Sequence, residues 1–117
     1  MTTVTRASIA AEFTEAARAA TENAKGARQA LANAAITRHH RDLFGCVGSI
    51  AFHNTRAQYL TKVAAQLADE TIDLASLIGT EPELRHGDYV NYGQIAATRY
   101  ANTRLRRISG QLLAATA

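Results

Sequence analysis

Apolar residues recur at steps of three and four along most of this chain, and that spacing favours helices over strands. Ile9, Phe13, Ala16, Ala17, Ala20, Ala24, Ala27, Leu31, Ala34 and Ala35 make one stripe. Ala57, Leu60, Val63, Ala64, Leu67, Thr71, Leu74, Ala75 and Ile78 make a second, and Val90, Ile95, Ala101, Leu105, Ile108, Leu112 and Leu113 a third. Composition agrees with the spacing. Alanine supplies 25 of the 117 residues, and it gives up no side-chain entropy on entering a helix. The expected fold is all-α: an antiparallel bundle of three long helices at about 6–43, 49–78 and 89–115, in one domain over residues 1–117.

The breaks between stripes come from glycine and proline. Carried forward, the first stripe meets the second only about 40° out of phase, so periodicity alone would allow one continuous rod. Arg38, Asp42, Gly45, Ser49, His53 and Arg56 would then fill its seam, while Leu43, Phe44, Val47 and Ile50 turned outward. A rod of such length is improbable. A corner at Gly45–Gly48 is therefore expected, with Ser49 capping the second helix. Gly79 is expected to close that helix. The only proline, Pro82, falls in a loop with a short helical turn near 81–86, and Asp88 or Asn91 can cap the third helix.

Several classes fall away. The run "FGCVGSIAF" is nine residues, about half of what a membrane-spanning helix needs. No basic and apolar leader opens the chain, and one cysteine cannot form an internal disulfide. The expectation is a soluble cytoplasmic protein with no membrane contact. His39 and His40 point about 100° apart on a helix, and no His-x-x-x-His or Cys-x-x-Cys spacing occurs, so no metal site and no cofactor are expected. Nothing in the spacing of Cys46 and His53 marks a nucleophile and its base. The Arg-then-His spacing of the helical HEPN ribonucleases is missing as well. No catalytic residue is assigned.

Two features stand out as candidate sites. The corner would turn helices 1 and 2 antiparallel and gather Arg38, Asp42, His53 and Arg56 into a polar cluster on otherwise apolar faces. Its expected role is structural, with Asp42 pairing with Arg38. The net charge of +3 is distributed unevenly, with an acidic middle third and a basic last third. There Arg99, Tyr100, Arg104, Arg106 and Arg107 lie off the apolar arc of helix 3, as contacts for an anion or a nucleic acid. "QIA" followed by "RLRRI" resembles helix-turn-helix wording, yet Tyr100 stands where the turn needs glycine. A hairpin of helices 2 and 3 would bring Arg99 to Glu70 and Asp73 and leave Arg104, Arg106 and Arg107 unpaired.

The alanine stripe of helix 1 invites close packing but buries little area per residue. Ala16, Ala20, Ala24, Ala27 and Leu31 are its candidate packing seam. The function expected is non-enzymatic: self-assembly or protein–protein binding, as a homo-oligomer or as an accessory or structural component of a larger complex. The alternative is a nucleic-acid-binding module using the arginine and tyrosine face of helix 3.

Overall fold

The structure, a computed structural model, describes the backbone of residues 5–37 and 40–116 and the side chains of residues 5–36 and 45–108. Among the described residues there are three α-helices, α1 (Arg6–Thr37), α2 (His40–Ala68) and α3 (Tyr89–Thr116), with one 3-10 turn (Leu74–Leu77) and no strand. The chain is an all-α bundle. No helix among these residues is long and apolar enough to cross a membrane.

α1 opens with a reciprocal cap. The Thr5 hydroxyl accepts from the Ser8 N–H at 3.0 Å while the Thr5 N–H donates to Ser8 Oγ at 3.0 Å. The next residue, Arg6, reaches across to the far end of α2. Its Nε donates to the Leu67 carbonyl at 2.9 Å, its Nη1 to Ile72 at 2.8 Å, and its Nη2 to Gln66 at 3.2 Å and Asp69 at 2.9 Å. Carbonyls at a helix C-terminus lack intrahelical donors, and a cation there also meets the negative end of the helix dipole. One side chain thereby fixes α1 antiparallel to α2. Ile9, Phe13 and Ala17 meet Leu60, Val63, Ala64 and Leu67 in the core, and Ala20 and Ala24 continue the buried stripe.

α3 runs parallel to α2. At its start the Tyr89 ring lies against Gly48, a turn later Gly93 sits against the Phe52 carbonyl and Thr55, and further on Ala101, Leu105 and Ile108 join the same core as Leu60 and Leu67. Residues 69–88 must therefore travel back along the bundle. Gly87, at φ +81°, supplies the left-handed step before Asp88, whose carboxylate accepts from the Asn91 N–H at 3.1 Å to cap α3. Asn91 and Asn102 are both buried. They sit eleven residues apart, three turns along one face of α3. The Asn102 amide takes the Gly79 N–H at 2.9 Å and gives to the Gly79 carbonyl at 2.8 Å; the Asn91 amide takes the Arg85 N–H at 2.8 Å and gives to the Glu83 carbonyl at 2.9 Å. These two clamps hold the returning segment on α3.

The helix limits differ from the sequence expectation. α2 already begins at His40, so Gly45–Gly48 lies inside it and not at a corner, and Ser49 is not a cap. Gly48 is there for packing: a Cβ on it would stand 2.7 Å from the Tyr89 ring. α2 ends at Ala68 rather than near 78, because the Asp69 carboxylate captures the Thr71 N–H at 3.0 Å and its hydroxyl at 2.6 Å. Of the stripe past that point, Leu74 and Ile78 still pack against the core while Thr71 and Ala75 are exposed, and Leu77, off the stripe, is buried by the tighter 3-10 turn. No helical turn forms at 81–86, where the Asn91 amide holds the segment in another conformation. Val90, placed on the apolar arc, is exposed.

Two glycines separate packing from propensity. At Gly93 a Cβ would stand 2.6 Å from the Phe52 backbone carbonyl, which cannot move aside, whereas at Gly26 it would meet nothing within 4 Å. Gly93→Ala should lower the unfolding free energy by about 1–3 kcal/mol through overpacking. Gly26→Ala should raise it by up to about 1 kcal/mol. Urea titrations of both variants check the opposite signs. Asn102→Ala leaves the Gly79 N–H and C=O without their partners and should cost about 1–3 kcal/mol, with faster hydrogen exchange at the Gly79 amide as its local signature.

Candidate functional site

α1 and α3 each pack on α2 and do not pack closely on each other. They meet through side chains. The Phe13 and Tyr100 rings touch edge to face with centroids 5.6 Å apart, and Glu12 takes Arg104 through both its oxygens, from Nε at 2.8 Å and Nη2 at 2.7 Å. The two helix backbones are thus set apart over α2, and the cleft between them is filled by core side chains where Ile9, Phe13, Leu105 and Ile108 are buried.

Of the expected arginine face, two of four guanidiniums are paired with carboxylates, and Arg106 lies apart from the rest. Arg99, Tyr100, Thr103, Arg104 and Arg107 line a shallow depression of about 370 Å³. Arg104 is not unpaired as the sequence suggested: α3 runs antiparallel to α1, which sets Glu12 level with it. Arg99 pairs with Glu81 at 2.6 Å rather than with Glu70 or Asp73, because α2 and α3 form no hairpin. Both ion pairs are solvent-exposed enough to contribute only about 0–1 kcal/mol each. Arg106 and Arg107 are exposed and take no ion pair among the described residues.

The alanine seam is occupied within the chain. Ala20 and Ala24 are buried in the single molecule, with Ala16, Ala27 and Leu31 half-buried beside them. Alanine's small side chain lets the α1 and α2 backbones approach closely, so this stripe serves the intrachain hairpin.

Of the polar cluster, Arg38 and the Asp42 side chain lie outside the described residues. His53 and Arg56 are together. On a wheel of about 100° per residue, His53, Ala57 and Leu60 occupy the arc of α2 toward α1, and Gly48, Thr55 and Tyr59 the arc toward α3. Phe52 and Arg56 fall between the arcs, on the cleft floor. Arg56 Nη1 is 3.3 Å from His53 Nδ1, and its guanidinium carbon lies 5.5 Å from the Phe52 ring centroid. Phe52 and His53 in turn pack edge to face at 5.1 Å. Because Nδ1 accepts from the guanidinium, the ring proton belongs on Nε2. Partial burial first, and then the Arg56 charge, push the His53 pKa below the ordinary histidine value. The imidazole is thus neutral at pH 7.

The groups on hand here are hydrogen-bond donors and one fixed positive charge. Among the described residues no three His, Cys, Asp or Glu side chains gather as a metal site would need, and Cys46 is a half-buried free thiol. The sequence reading missed Arg6, and it took Asn91 for a cap and passed over Asn102. The signal it passed over was polar residues at helical spacing inside an apolar arc. Compared with known proteins, the chain matches no family model, and no similar curated protein or solved structure was found.

A depressed histidine pKa carries a sign. The unfolded chain binds the proton more readily than the folded one, so the contribution of neutral His53 is fully present above the unfolded value of about 6.5 and is lost as pH falls through the lower folded pKa. Urea unfolding at pH 7.5 and pH 5 should show the wild type losing more stability on acidification than His53→Gln. Equal losses would remove the depressed pKa from the account.

Proposed function

We propose that this chain is a non-enzymatic helical module that works by binding protein, either a second copy or a component of a larger complex, through the open end of its bundle. The carrying observation is the placement of exposed apolar side chains. The core occupies one half of the molecule, where the start of α1, the end of α2, the 3-10 turn and the later part of α3 meet. The opposite end consists of the α1–α2 hairpin and the start of α3, in a body 61 Å long and 30 Å by 22 Å across. Ile36, Val47, Leu84, Tyr89 and Val90 all lie toward that end, each at least 44% exposed. Apolar side chains gathered at one end are a feature of protein-interaction surfaces.

Nucleic-acid binding is the second reading, favoured by Arg107, unpaired among the described residues and in one depression with the half-exposed Tyr100, and by the exposed Arg106. Carboxylates already engage Arg99 and Arg104, so fewer guanidiniums are free for phosphate than the sequence suggested. A cytoplasmic setting accords with either reading through the lone cysteine.

Light scattering after size exclusion, at low and high salt, is the test. The expected result is a mass above the 12.6 kDa monomer, or a stable complex with a captured partner, that survives high salt. Val47→Asp with Val90→Asp should abolish that association while leaving the helical circular dichroism unchanged. A monomer that holds nucleic acid at low salt and releases it at high salt would overturn the proposal in favour of the second reading.

A further inference from the structure

We infer that Arg56, on the floor of the cleft between α1 and α3 and held there by His53 and Phe52, is a recognition site for a carboxylate group. Arg56 is half-buried and takes no carboxylate partner among the described residues. Its guanidinium is oriented rather than loose, stacked over Phe52 and tethered through Nη1 to His53 Nδ1. That leaves the Nε and Nη2 edge without a hydrogen bond among the described residues. This edge is the planar fork that fits the two oxygens of a carboxylate. His53 contributes by holding Nη1 through Nδ1, which keeps the guanidinium from turning this edge away.

Charge chooses among oxyanions. His53 is neutral at pH 7, so the pair carries one positive charge, matched to a monoanion better than to a phosphate group of nearly two. Preorganisation lowers the cost of binding. Ordering a free arginine side chain opposes association, and here Phe52 and His53 already restrict it. The contrast within the molecule is direct, since Arg104 and Arg99 are taken by Glu12 and Glu81 while Arg56 has no carboxylate among the described residues.

The carboxylate can come from a small free acid or from an Asp or Glu on a partner protein, and the test separates them. The Arg56 Nε–H and the His53 ring would be followed by NMR during titration with sodium acetate, with sodium chloride at matched ionic strength as control. A second titration would use a helical Ala/Lys peptide bearing one Glu, against the same peptide with Gln. Saturable shifts with acetate would support the site and assign it to small carboxylates. Shifts with the Glu peptide alone would support it and assign it to a protein-borne carboxylate. Arg56→Gln should weaken whichever binding is seen by at least about tenfold. Arg56→Lys keeps the charge without the fork and should fall between. Absence of saturable shifts from both probes would overturn the inference, as would shifts that chloride or the Gln peptide reproduces or that persist in Arg56→Gln. Failure of the open-end proposal, read by light scattering, would leave this result standing on its own.

Discussion

α3 can lie on α2 because Gly48 and Gly93 remove the side chains that would hold the two helices apart. Each glycine inside a helix costs about 1 kcal/mol relative to alanine, so a reason for them has to be sought in contact. At Gly93 that contact is with backbone, and at Gly48 with an aromatic ring. Much else follows from this approach. With α3 parallel to α2, residues 69–88 must return roughly 30 Å, the rise of the twenty residues of α2 that they pass. A segment travelling along a bundle brings its peptide groups against apolar neighbours, where an unpaired N–H or C=O is costly. Asn91 and Asn102 answer that cost with both faces of their amides.

The same direction of α3 decides the electrostatics. α1 is antiparallel to both other helices, so Glu12 and Arg104 arrive at one level and close the lower part of the α1–α3 gap together with Phe13 and Tyr100. Farther along no comparable bridge forms among the described side chains, and Phe52, His53 and Arg56 are half-buried there. The bundle is thus packed at one end, where Arg6 ties α1 to the end of α2, and thinly covered at the other. Alanine accounts for part of this asymmetry. Ala20 and Ala24 bring the backbones close but bury little area, at about 25 cal/mol per Å², compared with Phe13, Leu60 and Leu67 in the packed half.

The legible part of this structure was the part that repeats. Ile9, Phe13, Ala17, Ala20 and Ala24 were read as an inward stripe from spacing alone, and all are buried. Leu60, Val63, Ala64 and Leu67 behaved the same way, as did Ile95, Ala101, Leu105 and Ile108. Ends were harder. Gly45 and Gly48 carry the same letter as a turn glycine, and only the ring of Tyr89 shows that Gly48 marks a helix crossing. Leu74 and Ile78 kept helical spacing across a real break, while Leu77, off that spacing, is the residue the 3-10 turn buries. Of the polar cluster, the pairing of His53 with Arg56 follows from their spacing of three on one helix; that Arg56 falls between the faces of α2 toward α1 and α3 does not.

Local physical chemistry, the propensity of alanine and the period of apolar residues, sufficed to determine from sequence that this chain is helical and which faces of its helices turn inward. Such terms act between residues a few positions apart, and sequence records those distances. The direction of α3, the partner of Arg104, the clamps at Asn91 and Asn102 and the reach of Arg6 to the end of α2 were decided by tertiary structure. Each joins groups whose separation in space is unrelated to their separation along the chain, and only the packed bundle brings them within hydrogen-bonding distance.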